Sequence, residues 1–315
     1  MAYLWHRHGI LYQIYPRSFA DSNGDGIGDL NGITGRLDYL ADLGIDAIWL
    51  SPVYPSPDFD FGYDVANYVD IDPKFGTLAD FDRLVEEAHK RNIRVILDLV
   101  LNHTSDQHPW FIESRSNRDN PKRDWYLWAD PLPGGKPPNN WQSVFGGSGW
   151  EFNPATQSCY FHMFYKQQPD LNWHHPEVRQ AMLDVFRFWL DRGVDGFRLD
   201  VFNLFFKCPD LTSNPSFLSL PGYGFISQRH INDCDRPELV PLLGEIRTLL
   251  DGYTARDGCE RYVVGETFLS TAYKAAEYCG PDRLHAAFNF ELLNSPFRPG
   301  SFLTAVQRWE HALGP

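Results

Sequence analysis

The sequence predicts an α/β fold built on a parallel β-sheet or barrel. Short apolar segments with strand character alternate with longer amphipathic segments, and the first connections between them are short. Polar and charged residues directly follow several of the apolar segments. The 315 residues are also enough for one large (β/α) barrel or for two ordinary domains.

Residues 1–103 are expected to form the first part of this sheet. The predicted strands are rich in Ile, Leu, Val and Tyr, and the predicted helices repeat apolar residues at helical spacing, as in Ile33, Leu37 and Leu40. Gly44 follows the first helix as a stop signal. Strands are expected at 10–19, 47–52 and 95–100, and helices at 30–43 and 79–91.

The regular order breaks at residues 104–175, which are rich in Pro, Gly, Asn and Trp. A long irregular stretch within a compact domain is usually functional, so we interpret this segment as a small subdomain inserted after the third strand. Residues 176–315 are expected to continue the sheet. The expected elements are helices at 176–192, 238–257 and 301–312, strands at 196–203, 262–267 and 286–290, and an irregular loop at 205–237.

Composition and charge argue against several classes of function. The net charge is −13, from 28 Lys and Arg against 41 Asp and Glu, which disfavours nucleic acid as a partner. No apolar run approaches a membrane span, and the first residues lack a secretory signal, so we expect a cytoplasmic protein or one whose leader has been removed. The five cysteines form no C-x-x-C pair, so neither a disulfide framework nor a zinc site is indicated.

One predicted strand carries charges inside an apolar stretch. Strand alternation would point Phe197, Leu199 and Val201 one way and Arg198 and Asp200 the other. An inward-facing charge is unfavourable unless it is paired or used in chemistry. A buried structural ion pair is the simpler interpretation of this strand taken alone.

Polar residues at the ends of four strands favour a functional interpretation instead. In a parallel barrel the carboxyl ends of all strands lie on one face, where active sites form. The residues concerned are Asp60 and Tyr63 after the second strand, Asp98, Asn102 and His103 on and after the third, Arg198 and Asp200 on the fourth, and Glu266 on the fifth. We expect them to converge on one pocket.

The chemistry indicated is glycoside hydrolysis. A retaining glycosidase uses one carboxylate as nucleophile and another as acid and then base, about 5 Å apart, and Asp200 and Glu266 on neighbouring strands can meet that spacing. Arg198 would keep Asp200 ionised, and the apolar residues before Glu266 favour its protonated form. His103 could bind sugar hydroxyls, the alternative being a buried structural histidine.

A second candidate site is the loop 21–29, where oxygen-bearing side chains recur as in the first nine positions of a calcium loop. The usual glutamate at the twelfth position is absent. A turn stabilised by Asx side chains is the alternative, although so many carboxylates repel one another without a cation. The candidate ligands are Asp21, Asn23, Asp25, the Ile27 carbonyl and Asp29.

Several segments together resemble the α-amylase family (glycoside hydrolase family 13). The segments are 98–105, 196–200 and 264–266, while 58–64 and 168–172 resemble its α-glucosidase and oligo-1,6-glucosidase branch. The resemblance runs from about residue 4 to the end, with the motifs in order and at proper intervals. It implies a (β/α)8 TIM barrel of the alpha-amylase type with a subdomain B inserted after strand 3.

The resemblance also implies roles for individual residues. Asp200 would be the nucleophile and Glu266 the acid and base, while Ca²⁺ or Mg²⁺ would be a structural ion in the loop 21–29, with no organic cofactor. The residues implied at the terminal glucose are Asp60, Tyr63, His103 and Arg198 for binding, Phe145, Phe164 and Gln168 as pocket lining, and Asp98 and Asn102 as support.

The sequence departs from the family at one point. Family members carry a third acidic residue in an Asn-His-Asp segment after the seventh strand, and no such segment occurs here. We count six strands, so the barrel is expected to be truncated after the sixth β/α unit, without the C-terminal β domain. An open sheet exposes its edges. The chain is therefore expected to be the N-terminal portion of a longer protein, poorly active and aggregation-prone alone.

The leading hypothesis is a retaining, exo-acting α-glucosidase that releases glucose from the non-reducing end of short α-glucosides, such as maltose or isomaltose. Transglucosylation, sucrose isomerisation and trehalose formation use the same residues and stay open, as do linkage preference and oligomeric state. A non-catalytic barrel, as in amino-acid-transporter heavy chains, is the alternative from another class, although the carboxylate pair argues against it. A nucleotide-dependent enzyme is disfavoured, since neither G-x-G-x-x-G nor a P-loop occurs.

Overall fold

The computed structural model describes residues 3–217, 228–268 and 270–314. Its strands are β1 Leu11–Ile14, β2 Ala47–Leu50, β3 Arg94–Leu99, β4 Trp128–Ala129, β5 Trp150–Asn153, β6 Ser158–Phe161, β7 Gly196–Leu199, β8 Tyr262–Gly265 and β9 Ala286–Ala287. Its α-helices are α1 Trp5–His8, α2 Pro16–Phe19, α3 Leu30–Thr34, α4 Leu37–Asp42, α5 Leu78–Lys90, α6 Pro109–Ser114, α7 Pro176–Asp191, α8 Leu239–Asp257, α9 Ala272–Ala276, α10 Phe290–Leu293 and α11 Pro299–Leu313.

Six parallel strands form the central sheet, in the order β1-β2-β3-β7-β8-β9. This is the wall of a partial (β/α) barrel, as predicted. The register places Asp98 of β3 beside Arg198 of β7, and Arg198 beside Val264 of β8. Because the strands are parallel, their carboxyl ends lie at one edge of the sheet.

The helices α5, α7 and α8 pack on the sheet through apolar side chains, which form part of the main core. Phe186 of α7 meets Phe197 of β7 edge-on, with ring centres 4.9 Å apart. The start of α5 is fixed by a capping box between Thr77 and Asp80. These helices were predicted within two residues at each end, because their apolar spacing is regular.

Two elements near the amino terminus were predicted wrongly. The first strand ends at Ile14 and not at residue 19, because Pro16 has the fixed φ that suits a first helical turn and begins α2. The single helix predicted at 30–43 is two helices, since Arg36 leaves the helical conformation with φ −109° and ψ 5°. The short helices α9 and α10 were not predicted.

The strand predicted at 196–203 ends at Leu199. Val201 has a φ of 34°, in the left-handed region that a β-branched residue rarely adopts. It packs with Trp141 and Leu204 in a second core cluster, whereas Phe197 and Leu199 belong to the main core. The predicted alternation is therefore wrong at Val201, and of the loop predicted at 205–237, residues 218–227 lie outside the described residues.

Strands β4, β5 and β6 form a separate antiparallel sheet in the order β4-β6-β5. Trp141, Trp150 and Phe161 pack together in its core. This sheet lies in the segment where the inserted subdomain was expected. The division of the chain at 103/104 and 175/176 stays a prediction. Along the described ranges of the chain, no helix has both the length and the hydropathy needed to cross a membrane.

One buried histidine, His108, and one partly buried histidine, His285, predict how stability depends on pH. Burial lowers the pKa of both His108 and His285 to about 3. The unfolded chain binds a proton at each below about pH 6.5, and the native state does not until about pH 3. Stability should therefore be full above pH 6.5 and fall as the pH decreases, by about 1.4 kcal/mol per pH unit for each histidine. Denaturant titrations between pH 4 and 7 measure this slope.

The variant His108→Asn isolates one of the two protons. His108 caps α6 by accepting the Trp110 N–H at 3.1 Å through Nδ1, and an asparagine can accept the same bond without titrating. We expect the slope of the unfolding free energy against pH to decrease by about 1.4 kcal/mol per pH unit, the contribution of one proton. An unchanged slope would show that His108 does not titrate as its burial indicates.

Candidate active site

The carboxyl ends of β7 and β8 place Asp200 and Glu266 on neighbouring strands at one level. Leu199 lies opposite Gly265 in the parallel register, and each of these two residues precedes one carboxylate. The Glu266 N–H donates to the Leu199 carbonyl at 2.9 Å, and the Asp200 N–H donates to the Leu99 carbonyl at 3.0 Å. Hydrogen bonds to neighbouring strands thus fix the backbone positions of both Asp200 and Glu266.

Arg198 joins three carboxylates at this level. Its Nη1 donates to Asp98 Oδ1 at 2.7 Å and to Asp200 Oδ1 at 2.6 Å, and its Nη2 contacts Glu266. Burial opposes the charge on this guanidinium, but Asp98 and Asp200 raise the pKa of Arg198 well above its usual value. The structural ion pair therefore exists, but it extends to carboxylates from three strands.

The same guanidinium places a positive charge beside both candidate catalytic carboxylates. The expectations that Arg198 keeps Asp200 ionised and that apolar surroundings keep Glu266 protonated stay predictions.

Asp98 supports Arg198 from below and is itself held by two further donors. Its Oδ2 accepts hydrogen bonds from Trp49 Nε1 and from the Tyr63 hydroxyl, both at 3.2 Å. Burial raises the pKa of Asp98 above its usual value, and Arg198 opposes that shift. The Trp49 ring also lies 5.2 Å from the guanidinium carbon. Tyr63 is thereby fixed beside the catalytic pair.

A second group of predicted residues forms one hydrogen-bonded set beside this pair. Gln168 Nε2 donates to Asp60 Oδ2 at 2.9 Å and lies 3.0 Å from His103 Nε2. His103 Nε2 also lies 3.0 Å from the Tyr63 carbonyl oxygen. Burial raises the pKa of Asp60, with Gln168 opposing the shift. His103 is thus hydrogen-bonded within the site and 1% exposed.

Asp64 was not predicted as a functional residue, although it ends the segment 58–64. Its side chain is completely buried. Oδ1 accepts the Ser56 hydroxyl at 2.8 Å and the Asp60 N–H at 3.0 Å, and Oδ2 accepts the Phe59 N–H at 3.1 Å. Asp64 therefore fixes the loop that presents Asp60.

Two aromatic residues predicted as pocket lining lie at different depths. The Phe164 ring is centred 5.2 Å from His103, beside the hydrogen-bonded set. Phe145 is farther out, 52% exposed, and stacks on Tyr165 at 4.1 Å while its ring centre is 6.1 Å from Phe164. Phe145 is therefore placed on the rim.

Asn102 has a structural position under the site. Its Nδ2 donates to Asp170 Oδ2 at 3.0 Å, and its Oδ1 accepts from Lys207 Nζ at 2.8 Å. Lys207 also forms an ion pair with Asp170 at 2.5 Å. Lys207 and Asp170 were missed because a lysine and an aspartate 37 positions apart carry no local signal.

The loop 21–29 fits a hard cation in its donor chemistry. Its candidate ligands offer only oxygen, as Ca²⁺ and Mg²⁺ require. Asp21 and Asp25 accept nearby backbone N–H groups, which lower the pKa of Asp21, while Asp29 accepts from Ser22 and caps α3 at Gly32. Within the described part of the chain, no three His, Cys, Asp or Glu side chains are grouped to hold a metal. A site would therefore also need Asn23 and the Ile27 carbonyl, and the set stays a prediction.

Calcium is expected to stabilise the protein through this loop. A single ion that binds only the native state adds about 2.7 kcal/mol at a concentration 100 times its Kd. The melting temperature should therefore rise in Ca²⁺ or Mg²⁺ relative to a chelator, and Asp21→Asn should reduce the rise. Equal melting temperatures in all three conditions would leave the loop as an Asx turn.

Comparison with known families decides the classification. Residues 13–304 match the description "Alpha amylase, catalytic domain". The chain belongs to the alpha-amylase family. In this family, a probable alpha-glucosidase from Rhizobium meliloti (strain 1021) is 50% identical over 299 residues, covering 92% of this chain and 54% of the relative. An oligo-1,6-glucosidase from Heyndrickxia coagulans is 48% identical over 307 residues, covering 94% of this chain and 52% of the relative.

Solved structures of the alpha-amylase family show the same architecture. The alpha-glucosyl transfer enzyme XgtA superimposes with a TM-score of 0.93 at 47% identity, covering 98% of this chain and 59% of its own. A mutant of the trehalulose synthase MutB superimposes with a TM-score of 0.86 at 37% identity, covering 99% of this chain and 56% of its own. The predicted alpha-amylase-type barrel is confirmed, and the chain spans about half the length of the curated relatives it matches.

Proposed function

We propose that this chain carries the nucleophile and the acid/base of a retaining α-glucosidase. The observation that supports this most directly is Arg198, which contacts Asp200 from its own strand and Glu266 from the next. One buried cation thus holds the two carboxylates near each other, and double displacement requires two carboxylates about 5 Å apart. Glucosidases among the relatives support the same activity.

In the proposed mechanism Asp200 attacks the anomeric carbon of the terminal glucose while Glu266 gives its proton to the departing glycosidic oxygen. A covalent glucosyl ester on Asp200 results. Glu266 then removes a proton from water, which displaces Asp200 and releases glucose with the α configuration. Asp60, Tyr63 and His103 would bind the hydroxyls of the glucose, Phe164 would line the pocket beside them, and Phe145 would line its rim.

The substrate class proposed is short α-glucosides, that is, small oligosaccharides; neither nucleic acid nor a membrane is proposed as a partner, and the oligomeric state stays open. The net charge of −13 argues against nucleic acid. Cytoplasmic location stays part of the proposal. Transfer of glucose to a sugar is the second candidate, favoured by the similarity to an alpha-glucosyl transfer enzyme and to a trehalulose synthase. The ratio of free glucose to new glucosides formed from sucrose or maltose distinguishes the two.

The stereochemistry of the first product tests the double displacement. Hydrolysis of p-nitrophenyl α-glucoside, followed by proton NMR before mutarotation, should release α-glucose first. Appearance of β-glucose first would contradict a nucleophilic role for Asp200, because a single displacement inverts the anomeric carbon. Comparing maltose with isomaltose then gives the linkage preference.

A further inference from the structure

Asn203 connects the segment after the nucleophile with the segment after the acid/base. It lies three residues after Asp200, in a 3-10 turn, and is 1% exposed. Its Oδ1 accepts the Phe268 N–H at 2.8 Å, and its Nδ2 donates to the Phe268 carbonyl at 2.7 Å. Phe268 is two residues after Glu266. One side-chain amide therefore binds both the N–H and the carbonyl of a residue two positions after the acid/base.

Asp235 fixes the orientation of this amide. Its Oδ1 accepts from Asn203 Nδ2 at 3.1 Å and from the Tyr278 hydroxyl at 2.7 Å, and its own N–H donates to the Asn203 carbonyl at 2.8 Å. The Ser270 hydroxyl donates to the same carboxylate at 3.1 Å. A carboxylate can only accept these bonds, so the NH₂ end of Asn203 must face Asp235 and the Phe268 carbonyl.

A second contact lies on the other side of Glu266. A Cβ placed on Gly265 would lie 2.3 Å from the Phe202 ring, so this ring packs directly on the Gly265 backbone. Phe202 precedes Asn203. Two consecutive residues of the turn after the nucleophile therefore hold the residues on both sides of the acid/base, and Glu266 lies between them.

We propose that Asn203 is a positioning residue for Glu266, acting through the Phe268 backbone with Asp235 behind it. The inference rests on the proposed function, because it assumes that Glu266 transfers the proton. A displacement of about 1 Å in a catalytic group can reduce the rate by about 10²-fold. Loss of the Asn203 amide frees the segment 267–268 to move relative to Asp200 and should displace the acid more than the nucleophile.

Two substrates separate displacement of the acid from general damage. Maltose needs protonation of its leaving group, whereas fluoride leaves α-glucosyl fluoride with little need of an acid. The value of kcat/KM reports the first displacement for both. In the full-length protein, Asn203→Ala should reduce kcat/KM for maltose by about 10²-fold and that for α-glucosyl fluoride far less. Equal losses on the two substrates would overturn the positioning role.

Asn214→Ala is the matched control. Asn214 is buried to a similar degree, 3% exposed, and its Oδ1 accepts the Asn232 N–H, a bond that involves neither catalytic carboxylate nor a sequence neighbour of either. This variant should leave the ratio of the two kcat/KM values unchanged. If the unsubstituted protein cleaves neither substrate, it is the proposed function that fails.

Hydrogen exchange tests the positioning role without activity. Losing a hydrogen bond of about 1 kcal/mol should accelerate exchange of the Phe268 amide about fivefold in Asn203→Ala, while the Val264 amide, within β8, keeps its rate. An unchanged Phe268 rate would overturn the inference regardless of turnover.

Discussion

Replacing Asp200 by asparagine should reduce kcat/KM on p-nitrophenyl α-glucoside by at least about 10⁴-fold, since loss of one residue from a nucleophilic catalytic set costs between about 10⁴ and 10⁶ in turnover. The amide has the shape of the carboxylate and keeps an oxygen that can accept from Arg198 Nη1, now at 2.6 Å. It cannot form the glucosyl ester. The loss should therefore appear in turnover with little change in fold, measured by nitrophenol release and by the melting temperature.

Asp195→Asn is the matched control for this prediction. Asp195 directly precedes β7, is 2% exposed and forms an ion pair with Arg94 at 3.1 Å, so it resembles Asp200 in burial and pairing. It precedes the strand and therefore lies at the opposite edge of the sheet. This variant should lower stability and leave kcat/KM close to that of the unsubstituted protein. Substantial turnover in Asp200→Asn would contradict the nucleophile assignment.

The parts of the fold that the sequence predicted well depend on local periodicity. The helices α5 and α7 and the strands β2, β3 and β8 follow from regular apolar spacing, and their polar ends indicated the site. Asp200 and Glu266 could be placed together because both follow strands, and parallel strands share one edge. Gln168, Phe164 and Phe145 required the family resemblance, since they lie in an irregular segment.

The errors and omissions depend on single residues or on distant contacts. Pro16 and Arg36 interrupt elements that apolar spacing alone would continue, and Val201 adopts a left-handed conformation that its type disfavours. Asn102 and Lys207 are separated by 105 residues, so their contact exists only in the folded chain. The role inferred for Asn203 depends likewise on a partner 65 residues away.

Replacing Lys207 by methionine should produce a large loss of stability. Lys207 and Asp170 are 2% and 0% exposed, and Nζ lies 2.5 Å from Oδ2. Methionine keeps the length of the side chain but leaves the Asp170 carboxylate buried without a cation. Removing one partner of a buried ion pair typically lowers the free energy of unfolding by about 3–5 kcal/mol. Urea unfolding followed by tryptophan fluorescence measures the change.

The double variant Lys207→Met with Asp170→Asn identifies the cause of that loss. A neutral amide can still accept the Met163 N–H, now bound to Asp170 Oδ1 at 2.8 Å, and it removes the uncompensated charge. The double variant should therefore be more stable than Lys207→Met alone, because most of the loss comes from the isolated charge and not from the missing bond.

The exposed ion pair between Arg118 and Asp130, whose side chains are 49% and 67% exposed, gives the comparison. Arg118→Ala should lower the free energy of unfolding by less than about 1 kcal/mol. If Lys207→Met costs no more than Arg118→Ala, the buried contact between the barrel and the segment 104–175 does not contribute to stability as its geometry indicates.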